Sequence, residues 1–139
     1  MKQSFDTIGM STRGPGLYPF TRPAEAFVQS CGIADGLLTC FIRHSSASLV
    51  IQENADPDVL ADLEDFMKRL VSRDMKLYRH TAEGPDDMPS HIRSALTAAS
   101  VSIPVREGKL ALGTWQGLYV FEHRDAPHRR EVTLHVIGD

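Results

Sequence analysis

The sequence has only two cysteines, Cys31 and Cys40, in no CxxC pair, so it holds neither a disulfide framework nor a thiolate metal knuckle. It has no basic surplus: 15 Lys and Arg against 18 Asp and Glu give a net charge of −3. That balance does not supply the phosphate-neutralising face that duplex nucleic acid needs. The one basic concentration, Arg124, His128, Arg129 and Arg130, suits a phosphate or diphosphate rather than a polymer. No apolar run approaches spanning length, and the opening MKQSFDTIGMSTRG lacks a signal core, so no membrane association and a cytoplasmic location are expected. There is no repeat or low-complexity tract. No P-loop, GxGxxG fingerprint or serine-hydrolase elbow appears either.

What is present is ordinary globular composition, 42% hydrophobic and 24% charged over 139 residues. A chain of this size buries roughly two-thirds of its unfolded surface and folds as one domain without staples. Residues 2–10 read as a strand, followed by a turn at Gly14-Pro15-Gly16 and a short helix over 23–31 that Gly32 stops. Residues 37–43 and 47–53 read as strands with a bend at Ser45-Ser46. The pattern predicts a helix over 57–71, with Asp56 as its cap and Pro57 in its first turn. Val59, Leu60, Leu63, Phe66, Met67, Leu70 and Val71 form one stripe on it, expected to be a core face. A second helix is expected over 88–98, then strands at 100–106, 109–123 and 130–137. The 109–123 stretch is apolar on both faces and should be covered on both. The whole reads as an α+β fold, an antiparallel β-sandwich or jelly-roll-like core with two or three helices.

Three segments can carry chemistry. HTAEGPDDMPSH (80–91) gathers His80, His91, Glu83, Asp86 and Asp87 around Gly and Pro turns. Imidazole and carboxylate can ligate a divalent metal or act as base and orienting partner; the plain alternative is an acidic turn with Asp87 capping the next helix. In QENADPDV (52–59), Asp56 has a sufficient role as cap, whereas Glu53 ends an apolar strand face with no such role. In GTWQGLYVFEH (113–123), Glu122 holds the analogous position on the Leu118/Val120 face, and Trp115 is either a stacking surface or core. His44 falls on the face of Leu38, Cys40 and Ile42, whereas His135 alternates outward with the charged set.

In order along the chain, HSSASLVIQENADPDV (44–59), HTAEGPDDMPSHIRSAL (80–96), IPV (103–105) and LGTWQGLYVFEHR (112–124) resemble the YjbQ-like family, which carries the label secondary thiamine-phosphate synthase. Small departures occur: Ser45 where Thr is frequent, Gln52 where Asn is common, and TAAS at 97–100 ending the helix. The resemblance implies a sandwich-like homotrimer with a histidine-rich site near subunit contacts. Carried over by motif, His44, His80 and His91 would be metal ligands, with Glu53, Asn54, Glu122, Arg129 and Arg130 as catalytic or anion-binding groups. His123 matches only a branch with the EHR ending. The implied reaction joins a thiazole phosphate to a pyrimidine diphosphate, possible as a side activity; the other readings are a metal-assisted hydrolase or lyase on another small phosphorylated compound, or a non-catalytic metal- or ligand-binding trimer. Zinc or magnesium is the expected cofactor, and the histidines suit zinc better than magnesium, which prefers oxygen shells.

Overall fold

The computed structural model describes residues 1–139. Its elements are β1 (Lys2–Thr12), β2 (Gly16–Pro19), α1 (Thr21–Ser30), β3 (Gly36–Ile42), β4 (Ala47–Glu53), α2 (Pro57–Leu70), α3 (Asp87–Leu96), β5 (Ser100–Arg106), β6 (Lys109–Leu110), β7 (Gln116–Glu122) and β8 (His128–Gly138), with a 3-10 turn at Met75–Leu77. All strand pairs are antiparallel, in a five-stranded sheet β1-β8-β3-β5-β6 and a three-stranded sheet β2-β7-β4. This is the expected α+β sandwich-like core with three helices.

The period-2 alternation sets the layers. Leu38, Cys40 and Ile42 of β3 and Val132, Leu134 and Val136 of β8 face Leu49, Leu118 and Val120 of the smaller sheet, and α1 closes one end with Phe20, Ala24 and Val28. The opposite face of the smaller sheet, including Tyr119 and Phe121, is buried beneath α2 and α3. β7 is therefore covered on both sides, as its two apolar faces require. No helix is long and apolar enough to cross a membrane.

Four details differ from the pattern. The 109–123 stretch is two strands, because residues 111–115 leave the larger sheet before β7 joins the smaller one. Trp115 lies in that crossover and is 63% exposed, so it is not core. An extra strand, β2, pairs with β7, its entry turned by Gly14 and Gly16 at φ 126° and 151° and pinned by the Tyr18 hydroxyl donating to the Gly14 carbonyl at 2.8 Å. The α2 stripe is only partly core: Met67 and Val71 are buried, but Phe66 and Leu70 are 50% and 54% exposed, while Glu64 turns inward. Asp56 does cap α2, its Oδ1 accepting from the Asp58 N–H at 2.9 Å, with Pro57 in the first turn.

Candidate functional site

α3 carries the chemistry through an i, i+4 pair. Asp87 and His91 stand one turn apart on the same side of the helix, and the 80–86 loop brings His80 back to meet them. Asp87 is 3% exposed, and its Oδ2 accepts from His80 Nε2 at 2.6 Å and lies 3.0 Å from His91 Nε2. One ligand atom from each of the three lies within 4.8 Å of the others. Asp87 is not the cap it can pass for in sequence. It is the first residue of the helix, and its carboxylate faces the histidines and Arg124.

Orientation is built in. The His91 Nδ1–H donates to the Ser45 carbonyl at 2.8 Å, so Nε2 is the nitrogen turned toward Asp87, the arrangement that prepares a histidine for a metal. The hydrogen bond to Asp87 raises the pKa of His80, helped by Asp87 and Glu83 charge and opposed by desolvation. Burial alone would raise Asp87, but the His80 hydrogen bond and the charges of His91 and Arg124 hold it below the usual carboxylate range. Two imidazoles and one carboxylate fit a zinc-like ion with positions left open; they do not make the oxygen shell that magnesium prefers.

His91 also lines a cleft of about 280 Å³, together with His44, Ser45, Ser48, Ser94 and three alanines (47, 95 and 99). His44 accepts the Glu131 N–H on Nε2 at 3.0 Å, and Arg130 Nη1 stands 3.4 Å from its Nδ1. Desolvation and the Arg130 charge lower its pKa, so its ring is neutral at pH 7. Both His44 nitrogens are thus turned to β8, away from the His80–Asp87–His91 group.

Behind the cleft lies a buried clamp. Glu122 is 0% exposed and takes Arg130 at two points, Nε to Oε1 at 2.8 Å and Nη2 to Oε2 at 2.6 Å. Thr12 donates to Oε1 at 2.6 Å and the His123 N–H to Oε2 at 3.0 Å. Burial pushes Glu122 up, but Arg130 and Thr12 outweigh it, and the group titrates below its ordinary value. Arg130 also donates to the Ser46 hydroxyl at 3.0 Å, which fixes the bend between His44 and β4. Beyond it, His123 Nε2 sits 2.9 Å from Ser48 Oγ, and Thr97 donates to the same hydroxyl at 2.6 Å. Desolvation, with Arg93 and Arg130 nearby, pushes the pKa of His123 down to about 3.

The remaining motif residues lie elsewhere. Glu53 and Asn54 are at the far end of β4, six residues from Ala47, about 20 Å at strand rise. Glu53 does have a local role there: its Oε2 accepts the Asp56 N–H at 3.1 Å as α2 begins. Asn54 donates to the Gln116 carbonyl at 3.4 Å, beside a separate pocket with Tyr119 and Arg22. Arg129 alternates with Arg130, so it is exposed and lies over Gly9 of β1 on the outer face. Asp87, grouped with the two histidines in the 80–91 segment, and Arg124, counted in the basic cluster, were left out of the set carried over by motif; the Asp-x-x-x-His spacing on a helix is the signal that singles out the first.

The family model for UPF0047 protein YjbQ-like matches residues 6–139. A UPF0047 protein of Synechocystis sp. is 53% identical over 138 residues, covering 99% of this chain and 94% of that protein. UPF0047 protein YjbQ of Salmonella typhimurium is 49% identical over 107 residues, 77% of each chain. Among solved structures, a YbjQ-like protein of unknown function from Sulfolobus solfataricus superposes with a TM-score of 0.91 at 28% identity, covering 99% of both chains.

Proposed function

This chain belongs to the UPF0047 YjbQ-like family, and from that premise we propose that it is a metal-dependent enzyme acting on a small phosphorylated compound, with thiamine-phosphate synthase-type coupling as its leading reaction. The observation that carries the reading is the convergence of His80, Asp87 and His91 beside the cleft. These three would hold a zinc-like ion, which supplies Lewis-acid stabilisation of charge on a phosphoryl or diphosphate group. His91 belongs to both the ligand group and the cleft lining, so a phosphoryl group on an ion held there would lie next to the space for the organic part. Ser48 and Ser94 give that space polar floor groups, and its alanines keep it narrow.

Two observations favour the second reading, a hydrolase or lyase on a single small phosphorylated compound. The cleft is small for two rings plus a diphosphate. Arg130 is committed to Glu122 and Arg129 faces away, so neither supplies a free cation for a departing diphosphate.

Zinc titration of metal-free protein tests both. Wild type is expected to bind one zinc per chain, and His80→Ala, Asp87→Asn and His91→Ala to lose it while keeping the fold by circular dichroism. Affinity should fall as pH falls, since the proton His80 carries must leave. Thiamine-phosphate formation and phosphate release from small esters are then measured side by side. Zinc binding with neither reaction would make the protein a binding module; no zinc binding would remove the metal from the reading.

The homotrimer is proposed on the same footing. Phe5, Leu37 and Phe41 leave apolar surface on the outer face of the large sheet, and Phe66, Leu70, Leu77 and Leu96 leave more around α2 and α3. Light scattering should give three times the 15.4 kDa chain mass. A monomer at micromolar concentration would end the trimer reading.

A further inference from the structure

Arg124, two residues past β7, spends its side chain on the loop that carries the metal-ligand candidates. Its Nε donates to Asp86 Oδ2 at 2.8 Å and Nη2 to the Glu83 carbonyl at 3.4 Å, and Nη1 forms an ion pair with Asp87 Oδ1 at 2.7 Å. The next backbone N–H, of Asp125, donates to the same Asp86 oxygen at 3.0 Å. One planar guanidinium thus ties three points of the 83–87 segment, at Glu83, Asp86 and Asp87, to the end of the smaller sheet, with its side chain 19% exposed.

The contact with Asp87 divides that carboxylate. Oδ1 is held by Arg124, and only Oδ2 is turned to His80 and His91. We propose that Arg124 is a positioning residue that restricts Asp87 to a one-oxygen ligand and thereby keeps a coordination position free for substrate. This rests on the metal reading above. A lysine cannot do the same, since its point charge reaches Asp86 or Asp87 but does not span both with fixed donors. The neighbouring pair Arg73–Asp125, at 2.7 Å and half exposed, secures the same corner to the end of α2 without touching Asp87. It is the natural control.

The test loads the full chain with cobalt(II), whose visible absorption reports coordination number, and measures zinc affinity by competition with a chelating dye. Arg124→Met is expected to keep its secondary structure, to weaken zinc binding by about 10-fold or more, and to lose absorption intensity per cobalt several-fold as the released Oδ1 joins the shell. Arg124→Lys should fall between, and it carries the test alone if the methionine variant does not fold. Arg73→Ala should match wild type in both readouts. A variant that loses affinity but keeps the wild-type cobalt spectrum would show that Arg124 only holds the loop, and the proposal falls. Wild-type affinity and spectrum in Arg124→Met overturn it outright. If wild type itself binds neither ion, the metal reading is what has failed, and this inference with it.

Discussion

Replacing Glu122 by alanine is expected to destabilise the protein by about 3–5 kcal/mol, because it strands the buried guanidinium of Arg130 without its counter-charge. Glu122 is fully buried, Arg130 is 3% exposed, and every acceptor site of the carboxylate in use here points to a donor that water cannot reach easily. Removing it leaves Arg130, the Thr12 hydroxyl and the His123 N–H to find new partners in an apolar surround. The pair as such adds less than this number suggests, since both ions were desolvated to form it. A Glu122→Met, Arg130→Met double variant is therefore expected to recover a good part of the loss. The double variant should nevertheless damage the cleft, because Arg130 also fixes Ser46 and stands against His44. Urea denaturation at pH 7.5 measures each term. A Glu122→Ala loss below about 1 kcal/mol would mean that the clamp does not hold this corner of the fold together.

The same carboxylate separates what was legible in the sequence from what was not. Glu122 and His44 were recognisable as polar groups ending apolar strand faces, and period-2 alternation placed both correctly. Alternation also separated outward His135, which stacks on Phe5 at 4.2 Å, from the inner set. What alternation cannot supply is which strand ends share a corner. Glu53 and Glu122 look equivalent in sequence, yet β4 and β7 run antiparallel with Ala47 opposite Glu122 and Glu53 opposite Gln116. The two carboxylates therefore lie at opposite ends of one sheet. The partner of Glu122 comes from β8 of the other sheet, a contact between layers that strand periodicity does not encode.

Helix faces were legible to a similar degree. The α2 stripe gave the helix and its cap but not the fact that Phe66 and Leu70 would stay open, because periodicity measures one-sidedness and not what lies opposite. On α3 the misleading signal was local. Asp87 at the start of the helix reads as a cap, yet no side-chain cap forms, and Asp86 and Asp87 turn instead to Arg124 and the histidines. A cap that declines its backbone N–H groups is a sign that a stronger electrostatic partner is present.

His123 leads to the second large effect, a loss of stability in mild acid. In the folded protein its pKa is pushed down to about 3 from 6.5, first by desolvation and then by Arg93 and Arg130. Above pH 6.5 the ring is neutral folded or unfolded, so it adds no pH dependence. Between pH 6.5 and 3 the unfolded chain takes up a proton that the folded chain refuses, so stability falls with falling pH, by about 2 kcal/mol at pH 5. His44, also lowered, acts in the same direction. His80 acts oppositely: its raised folded pKa adds stability below the unfolded value that is lost as pH rises through the folded one. Comparing wild type at pH 7.5 and 5.0 would mix the three. The difference between wild type and His123→Gln isolates one, since glutamine can meet the Ser48 hydroxyl but does not titrate. The variant is expected to show a pH dependence smaller by about 2 kcal/mol over that interval. Parallel profiles would mean that the ring accepts its proton in the folded state. In that event both ring nitrogens would carry protons, and the Ser48 hydroxyl could only accept from Nε2.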